Sequence, residues 1–406
     1  MSAIRSGFEP WAADRFGDID LRECAESIQL ADYPAGLQQA TATAPPGPWM
    51  YTGALENQPE LIDRISQGRM LYGIGGQALR AVRDPLRVAA VLRDAGLNAP
   101  RCAGSAAGLP RDGSWLCKPL ASAGGSRIRP WIDGPPTFGL EAPAYFQQRI
   151  EGMPVGAVFL AAGRRAHLLG VTRQLIGLDW CGLPADAAHR FRYCGSIGPL
   201  RLNSATANRF ARIGDVLAEA FDLRGLFGVD AIVAGGDLAA GRSDVWPLEV
   251  NPRYTASVEV LERALGIRSI ALHVAAFGGL PCATGSASVS MGADRRAAAA
   301  AEPVAHGGLA DRLDDARPCC GKAILFACSD IIVGLKFPAC CARRNSNCAW
   351  PTMADIPAAG SSIRAGQPVV TVLASGANEA AVLAKLKSSA ELARAELAGT
   401  GACAAG

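Results

Sequence analysis

The sequence predicts an α/β protein of more than one domain, on three observations. The chain has 406 residues and half of them are apolar, enough for about two or three cores. Short apolar runs rich in Val, Ile and aromatic residues alternate with amphipathic stretches at helical spacing. Gly and Pro mark the boundaries between them.

Composition narrows the function. Charged residues make up 19% of the chain, the formal net charge is +3, and there are four His. With no block of Lys and Arg, electrostatics give no case for nucleic acid. No apolar run reaches the roughly 18–20 residues of a membrane span, so no membrane partner is expected. The opening MSAIRSGFEPWAADRFGDID lacks the apolar core of a signal peptide, and a cytoplasmic location is the expectation. The thirteen Cys are not spaced like a small secreted scaffold and read as reduced thiols acting as small apolar side chains.

Residues 1–83 read as a small α/β domain. IDLRECAESIQLAD and NQPELIDRISQG look helical; PGPWMYTG and RMLYGIGG look like strand-to-loop passages. The first residues read as the end of a helix, with Gly7 at its C-terminus and a strand entered from Phe8 to Ala12. A doubly wound domain opens on a strand, so this domain is expected to lack its first strand. The natural protein would then begin roughly 15–25 residues earlier.

Residues 84–281 carry the clearest signals. Asp84-Pro85 opens a helix in DPLRVAAVLRDAGLNAP, with an acid at the cap and Pro in the first turn. SWLCKPL is a strand that runs into the Gly-rich SAGGS. PAYFQQRIEG, GAVFLAAG and RAHLLGVTRQLIG follow as strands, and ATANRFARIGDVLAEAFDL as an amphipathic helix. LFGVDAIVAGG and DVWPLEVNP are strands separated by a Gly-rich turn, and SVEVLERALGIRSIALHVAAF is helical. Residues 282–318 have the composition of a linker or disordered insertion. Residues 319–406 form a C-terminal β-rich segment plus a helix: GKAILFACSDIIVGL reads as a hairpin, IPAAGSSIRAGQPVVTVLASG as two strands, and NEAAVLAKLKSSAELARAEL as a surface helix.

Three segments carry chemistry together. Lys118 ends a strand and is followed by Ser122, Gly124, Gly125 and Ser126; backbone N–H groups of such a loop can close over phosphate oxygens. Tyr145 to Gly152, containing Gln147, Gln148 and Ile150, could present backbone groups and apolar faces to an adenine ring. Taken singly, these are also what an ordinary turn and an ordinary hairpin look like. In the third segment, Glu249 and Asn251 lie two apart on a strand and face the same way, and Asp230 on a neighbouring strand can reach the same spot. Two carboxylates and an amide oxygen suit Mg²⁺ bridging phosphates. Arg253, two residues on, can hold a phosphate or carboxylate bidentately.

K-P…S-A-G-G-S, Q-Q-R-I-E-G, G-V-D-A-I-V and L-E-V-N-P-R, in this order over about residues 80–280, resemble the ATP-grasp superfamily. P-W-M-Y-T-G-A-L-E-N, N-P-R-Y-T-A-S-V-E-V and A-D-I-P-A-A-G-S-S-I further resemble a bacterial group often encoded among tetrahydromethanopterin-linked one-carbon genes. The resemblance implies an ATP-grasp fold with an N-terminal Rossmann-like pre-ATP-grasp domain. It implies ATP and one or two Mg²⁺, with Mn²⁺ as an alternative ion. Lys118 would contact the phosphates and Ser122, Gly124, Gly125 and Ser126 would cover them. Gln147, Gln148 and Ile150 would lie by the adenine, and Asp230, Glu249 and Asn251 would hold metal. Arg253, with Lys118, would be catalytic, on the acyl phosphate or the substrate. Two positions depart from the pattern. Asp84-Pro85, flanked by Arg83 and Arg87, stands where many relatives have a second Lys, and no acid beyond Glu151 is in place for the ribose.

The activity implied is a ligase that turns a small-molecule carboxylate into an acyl phosphate for attack by an amine. A carboxylating or thiol-directed member of the superfamily and a degenerate nucleotide-binding regulator are the alternatives, and a homodimer is open. Thr52, Glu56 and Asn57 read either as contacts to the acceptor or as a capped helix start. Tyr254 and Ser257 read as pocket-lining residues. The six Cys from Cys319 to Cys348 read as a loose insertion or a zinc site.

Overall fold

The computed structural model describes residues 1–133, 143–184, 186, 188–235, 243–279, 317–346 and 348–400. The expected linker at 282–318 therefore lies almost wholly outside the described residues.

The first part of the chain contains α1 (Ser2–Arg5), β1 (Trp11–Asp14), α2 (Ile19–Cys24), β2 (Glu26–Gln29), α3 (Leu37–Thr43), α4 (Pro59–Ser66) and α5 (Gly76–Val82). β1 and β2 are parallel, in register from Trp11 opposite Glu26 to Asp14 opposite Gln29; a parallel pair needs a crossover, which α2 provides. This corrects the helical reading of IDLRECAESIQLAD: the helix stops at Cys24 and the second half is a strand. β1 leaves backbone donors and acceptors that need partners, and Glu26–Gln29 satisfies them. The Trp49 and Leu71 passages meet in a single parallel bridge and form no longer strand. Leu61, Ile62, Ile65, Leu79 and Val82 bury the facing sides of α4 and α5.

α6 (Pro85–Asp94) follows, with the Asp84 carboxylate accepting from the N–H groups of Leu86 and Arg87, a cap that contributes about 1 kcal/mol. A four-stranded antiparallel sheet comes next: β3 (Cys102–Ala103), β4 (Asp112–Pro119), β5 (Arg129–Ile132) and β6 (Ala144–Gln148), in the order β3-β6-β4-β5.

The centre of the molecule is an eight-stranded sheet. β7 (Met153–Ala162), β8 (Arg165–Ile176), β9 (Tyr193–Gly198), β10 (Gly225–Ala234) and β11 (Asp244–Asn251) are joined by β12 (Cys319–Phe326), β14 (Met353–Ala354) and β16 (Pro368–Gly376), in the order β11-β10-β7-β8-β9-β12-β16-β14. α7 (Ser204–Phe221) packs Phe210, Ile213, Leu217 and Phe221 against it, a spacing that keeps one face inward. Phe159 and Phe227 stack beneath at 5.0 Å between centroids. α8 (Ala256–Leu265) and α9 (Ser269–Ala276) lie beyond β11.

The C-terminal strands extend this sheet. β12 pairs with β9, Ala323 opposite Gly195, and with β16 on its other side. A Cβ at Gly195 would stand 2.1 Å from the carbonyl oxygen of Lys322, so the close approach of β12 requires glycine there. The hairpin expected in GKAILFACSDIIVGL is therefore not formed. β13 (Ile331–Ile332) pairs with β15 (Ser362–Ile363) instead. β12 buries Cys320, Ala323, Leu325 and Phe326, and a strand with both faces buried belongs in a sheet interior. α10 (Lys336–Asn345) precedes β14, and α11 (Glu379–Thr400) closes the chain. α11 is no mere surface helix, since Val382, Leu386, Ala390 and Ala393 are buried in the core beside β12 and β16. No helix among the described residues is long and apolar enough to cross a membrane.

Candidate functional site

β10 and β11 set Asp230 directly opposite Glu249, and the register shifts just after Asp230. Such irregularities re-aim side chains. Asp230 Oδ1 accepts from Gln174 Nε2 at 2.7 Å and Oδ2 from Asn251 Nδ2 at 3.0 Å. Burial, then the neighbouring Glu249 charge, push its carboxyl up to about 6. Burial also works against an ionised Glu249, but Arg83 and Lys118 outweigh it and hold that carboxyl below its usual value. The Arg83 guanidinium donates to Glu249 Oε1 at 2.5 Å and to Asn57 Oδ1 at 3.1 Å.

β4 and β6 bring the next groups. Lys118 is buried, its ammonium donating to Gln147 Oε1 at 3.1 Å and lying 5.6 Å from the centre of the Tyr145 ring. Burial disfavours the charged form, yet Tyr145 and Glu249 overcome this and raise its pKa. Gln147 Nε2 donates to the Leu248 carbonyl at 3.0 Å, which ties the four-stranded sheet to β11. Arg83, Lys118, Ser122, Tyr145 and Glu249 line one cleft.

The Gly-rich loop between β4 and β5 is seated on the 190–193 segment. The Gly124 carbonyl accepts from Tyr193 N–H at 3.0 Å, and the Ser126 hydroxyl accepts from the Arg192 guanidinium. Gly125 has φ +73°, and a Cβ there would stand 1.8 Å from the Phe191 carbonyl oxygen. Only glycine fits both the angle and the space.

The first domain contributes two groups. Ala54 takes φ +61° just ahead of a short turn at Leu55–Asn57, a strained conformation for a residue with a Cβ. This places Glu56, buried, with Oε1 accepting from Arg253 Nε at 2.7 Å. Asn57 Nδ2 donates to the Ser122 carbonyl at 3.0 Å. Thr52 bridges to Tyr254 in parallel.

Of the residues expected from sequence, Lys118, Gln147, Asp230, Glu249, Asn251 and Arg253 lie within one connected set of contacts. Gln148 faces the other way, its Oε1 accepting from the Arg101 backbone N–H at 3.3 Å, because neighbouring strand residues alternate sides. Ile150 is half-buried just past β6. Glu151 is exposed and pairs with Arg149 at 2.6 Å. Sequence reasoning missed Tyr145 and Gln174. Gln174 carried a signal, a lone amide in the apolar run of β8.

The oxygen donors fit a hard divalent cation. Two half-buried carboxylates side by side, one kept well above its ordinary pKa by burial and then by the other, gain from a shared positive charge. No group of three or more His, Cys, Asp or Glu side chains among the described residues is arranged to hold a metal, so phosphate oxygens and water would complete a shell begun by Asp230, Glu249 and Asn251.

Residues 82–257 match the family model for an ATP-grasp domain. Among solved structures it is similar to Rhizobium etli pyruvate carboxylase, with 13% identity and a TM-score of 0.66, covering 95% of this chain and 35% of that one. This chain thus spans about a third of the length of that enzyme. It is also similar to the biotin carboxylase domain of Hydrogenobacter thermophilus 2-oxoglutarate carboxylase, solved with MgADP and bicarbonate, at 11% identity and TM-score 0.65 over 95% of this chain and 85% of that one. L-amino acid ligase from Bacillus licheniformis matches at 12% identity and TM-score 0.59, over 96% and 98%. At these identities the likeness is one of fold. None of the curated proteins matches the chain.

Proposed function

We propose that the protein is an ATP- and Mg²⁺-dependent ligase that activates a small-molecule carboxylate as an acyl phosphate, which an amine then attacks to give an amide, ADP and phosphate. The observation that carries this reading is the Asp230–Glu249 pair facing Asn251, with Lys118 close enough to lower the Glu249 pKa and have its own raised in return. The MgADP in the Hydrogenobacter relative and the activity named for the Bacillus ligase support it.

Mg²⁺ held by Asp230, Glu249 and Asn251 would neutralise charge across the phosphates. Lys118 adds a fixed positive charge in a site where burial makes it count. Arg83 lies on the same cleft wall with its Nε buried and unpartnered, and it supplies the second cation where Asp84-Pro85 offers none. Gln147 orients Lys118. The Ser122–Ser126 backbone covers the phosphates and excludes water from the acyl phosphate. Arg253, fixed by Glu56, presents its guanidinium to the activated carboxylate.

The test is ADP release over a matrix of carboxylic acids, bicarbonate included, and amines, followed by mass analysis of the product. An amide formed with one ADP per turnover supports the reading. ADP release that depends on bicarbonate alone would sink it in favour of carboxylation.

A further inference from the structure

A second cavity lies away from the cleft just described. It measures about 750 Å³, well within the range of small-molecule sites. Its floor is the loop Asp14–Asp18, which leaves β1, together with Gln29 at the end of β2. Ligands of open α/β sheets bind beyond the carboxyl ends of parallel strands, and this cavity lies just beyond the ends of the only parallel strand pair among the described residues. Its opposite wall comes from the C-terminal strands: Asp355 and Pro357, the turn Ser361–Arg364, and β16 as far as Thr371. The wall includes the A-D-I-P-A-A-G-S-S-I run that the nucleotide site leaves unused.

The chemistry of the walls is specific. Asp14 is spent on its own turn, accepting from the N–H groups of Phe16 and Gly17, each at 2.7 Å. Asp20 braces the far wall by accepting from the N–H groups of Asp355 and Ile356. Asp355 sits at φ +55°, with the Thr371 hydroxyl donating to one of its oxygens at 2.5 Å. The Asp18 carboxylate makes no cap hydrogen bond to α2, and burial, then Asp355, Asp14 and Asp20, push its pKa up to about 7 against the opposing Arg22. Arg15 and Arg364 line the cavity as well. The acids do not converge on a single point as metal ligands would; they are spread along a cavity of organic-ligand size.

Polar groups continue from this cavity toward the nucleotide site. Lys322 on β12 opposes the rise in the Asp355 pKa and donates to Glu259 at 2.9 Å. Tyr193 feels both Lys322 and Asp230. Its hydroxyl meets Ser196 at 2.7 Å, and Ser196 meets Ser257 at 3.2 Å. A buried row of hydroxyls and charges across a sheet is tolerated where, as here, each member has a hydrogen-bond or ion-pair partner.

We propose that the cavity between the β1–β2 ends and the 355–371 segment binds an organic cation bearing a primary amine, held by Asp18 and Asp355. That this molecule is the acceptor rests on the ligase reading; that the cavity takes an amine does not. The test is saturable binding of 1,4-diaminobutane, by calorimetry and thermal shift, against 1,4-butanediol and succinate, which match its length with neutral and negative ends. The full chain is expected to bind the diamine and neither control. Asp18→Asn should weaken it about tenfold, the scale of one lost charge-assisted contact. Asn also serves well at the start of a helix, so α2 is kept. Asp355→Asn, which can still accept from Thr371, should act likewise, and both variants should bind Mg-ATP analogue within about twofold of the parent protein. Equal response to all three probes, or diamine binding unchanged in both variants, overturns the proposal. Diamine binding lost in both variants supports the cavity even if no acid and amine pair gives ADP, which would overturn the ligase reading alone.

Discussion

Replacing Glu249 by Gln keeps the shape of the side chain and removes one negative charge from the Asp230–Glu249 pair. On the proposed ligase reading, this loss of preorganised charge is expected to lower turnover by about 10²-fold or more. Stability changes through two terms. The Arg83 guanidinium loses its carboxylate at 2.5 Å but keeps Asn57 and the Val250 carbonyl. A fully buried broken pair would cost about 3–5 kcal/mol. The Glu249 side chain is 30% exposed, and screening reduces this to about 1–2 kcal/mol. Asp230, whose carboxyl is held up to about 6 partly by Glu249, is relieved of that repulsion and offsets part of the loss. The net is a destabilisation of about 1 kcal/mol, or roughly 2–4 °C in a domain of this size. Coupled ADP release measures turnover, and thermal unfolding measures stability. Near-normal turnover with the original Mg²⁺ dependence would refute the metal assignment. Adding Arg83→Gln should restore the melting temperature but not the rate. A restored rate would show that Glu249 serves only to neutralise Arg83, and would also remove Arg83 as the second cation.

Lys118→Ala is expected to weaken ATP-analogue binding by about 10- to 100-fold, the range for a charge-assisted contact; calorimetric affinity within twofold of the parent would remove Lys118 from the phosphates. Gly125→Ala forces the loop away from the Phe191 carbonyl and should raise the KM for ATP by about tenfold or more, whereas an unchanged KM would show that the loop does not cover the nucleotide. Asp18 has a folded pKa of about 7 against an ordinary 3.8, so its contribution to stability is full below about pH 3.8 and is lost as pH rises through 7. The melting temperature of the parent should therefore fall more between pH 5 and 8 than that of Asp18→Asn; equal or opposite slopes would contradict the environment described for Asp18.

The fold of residues 84–279 was legible because its signals are local. Asp84 caps its helix as the residue types require, and the apolar spacing of Phe210, Ile213 and Leu217 fixes the buried face of α7. Same-side placement of Glu249 and Asn251 follows from strand periodicity alone. What was not legible depends on partners distant in sequence. GKAILF reads as one arm of a hairpin until β9 offers an edge at which Gly195 admits it. Glu26–Gln29 reads as the tail of a helix until β1 presents unpaired backbone. Gln147 and Gln148 read alike as adenine contacts. The four-stranded sheet sends one to Lys118 and the other to Arg101. Arg83 was visible only as a flank of Asp84-Pro85, and its role emerges from its contact with a residue 166 positions away.

The contacts of the first domain explain how two distinct cavities could serve one reaction. Asn57 uses both ends of its amide, donating to the Ser122 carbonyl and accepting from Arg83, so the turn that carries Glu56 is tied both to the Gly-rich loop and to the partner of Glu249. Glu56 in turn fixes Arg253. At the other edge of the same domain, Arg5 and Ser2 bind the buried Glu262 of α8, and Asp20 holds the Asp355–Ile356 backbone. The turn tied to the Gly-rich loop thus also meets Arg253 and Arg83, and the same domain forms the floor of the 750 Å³ cavity. Coupling between sites needs an element whose position both ligands bias. The 1–83 segment is the element placed for that, since it touches the Gly-rich loop through Asn57 and lines the second cavity through Asp18.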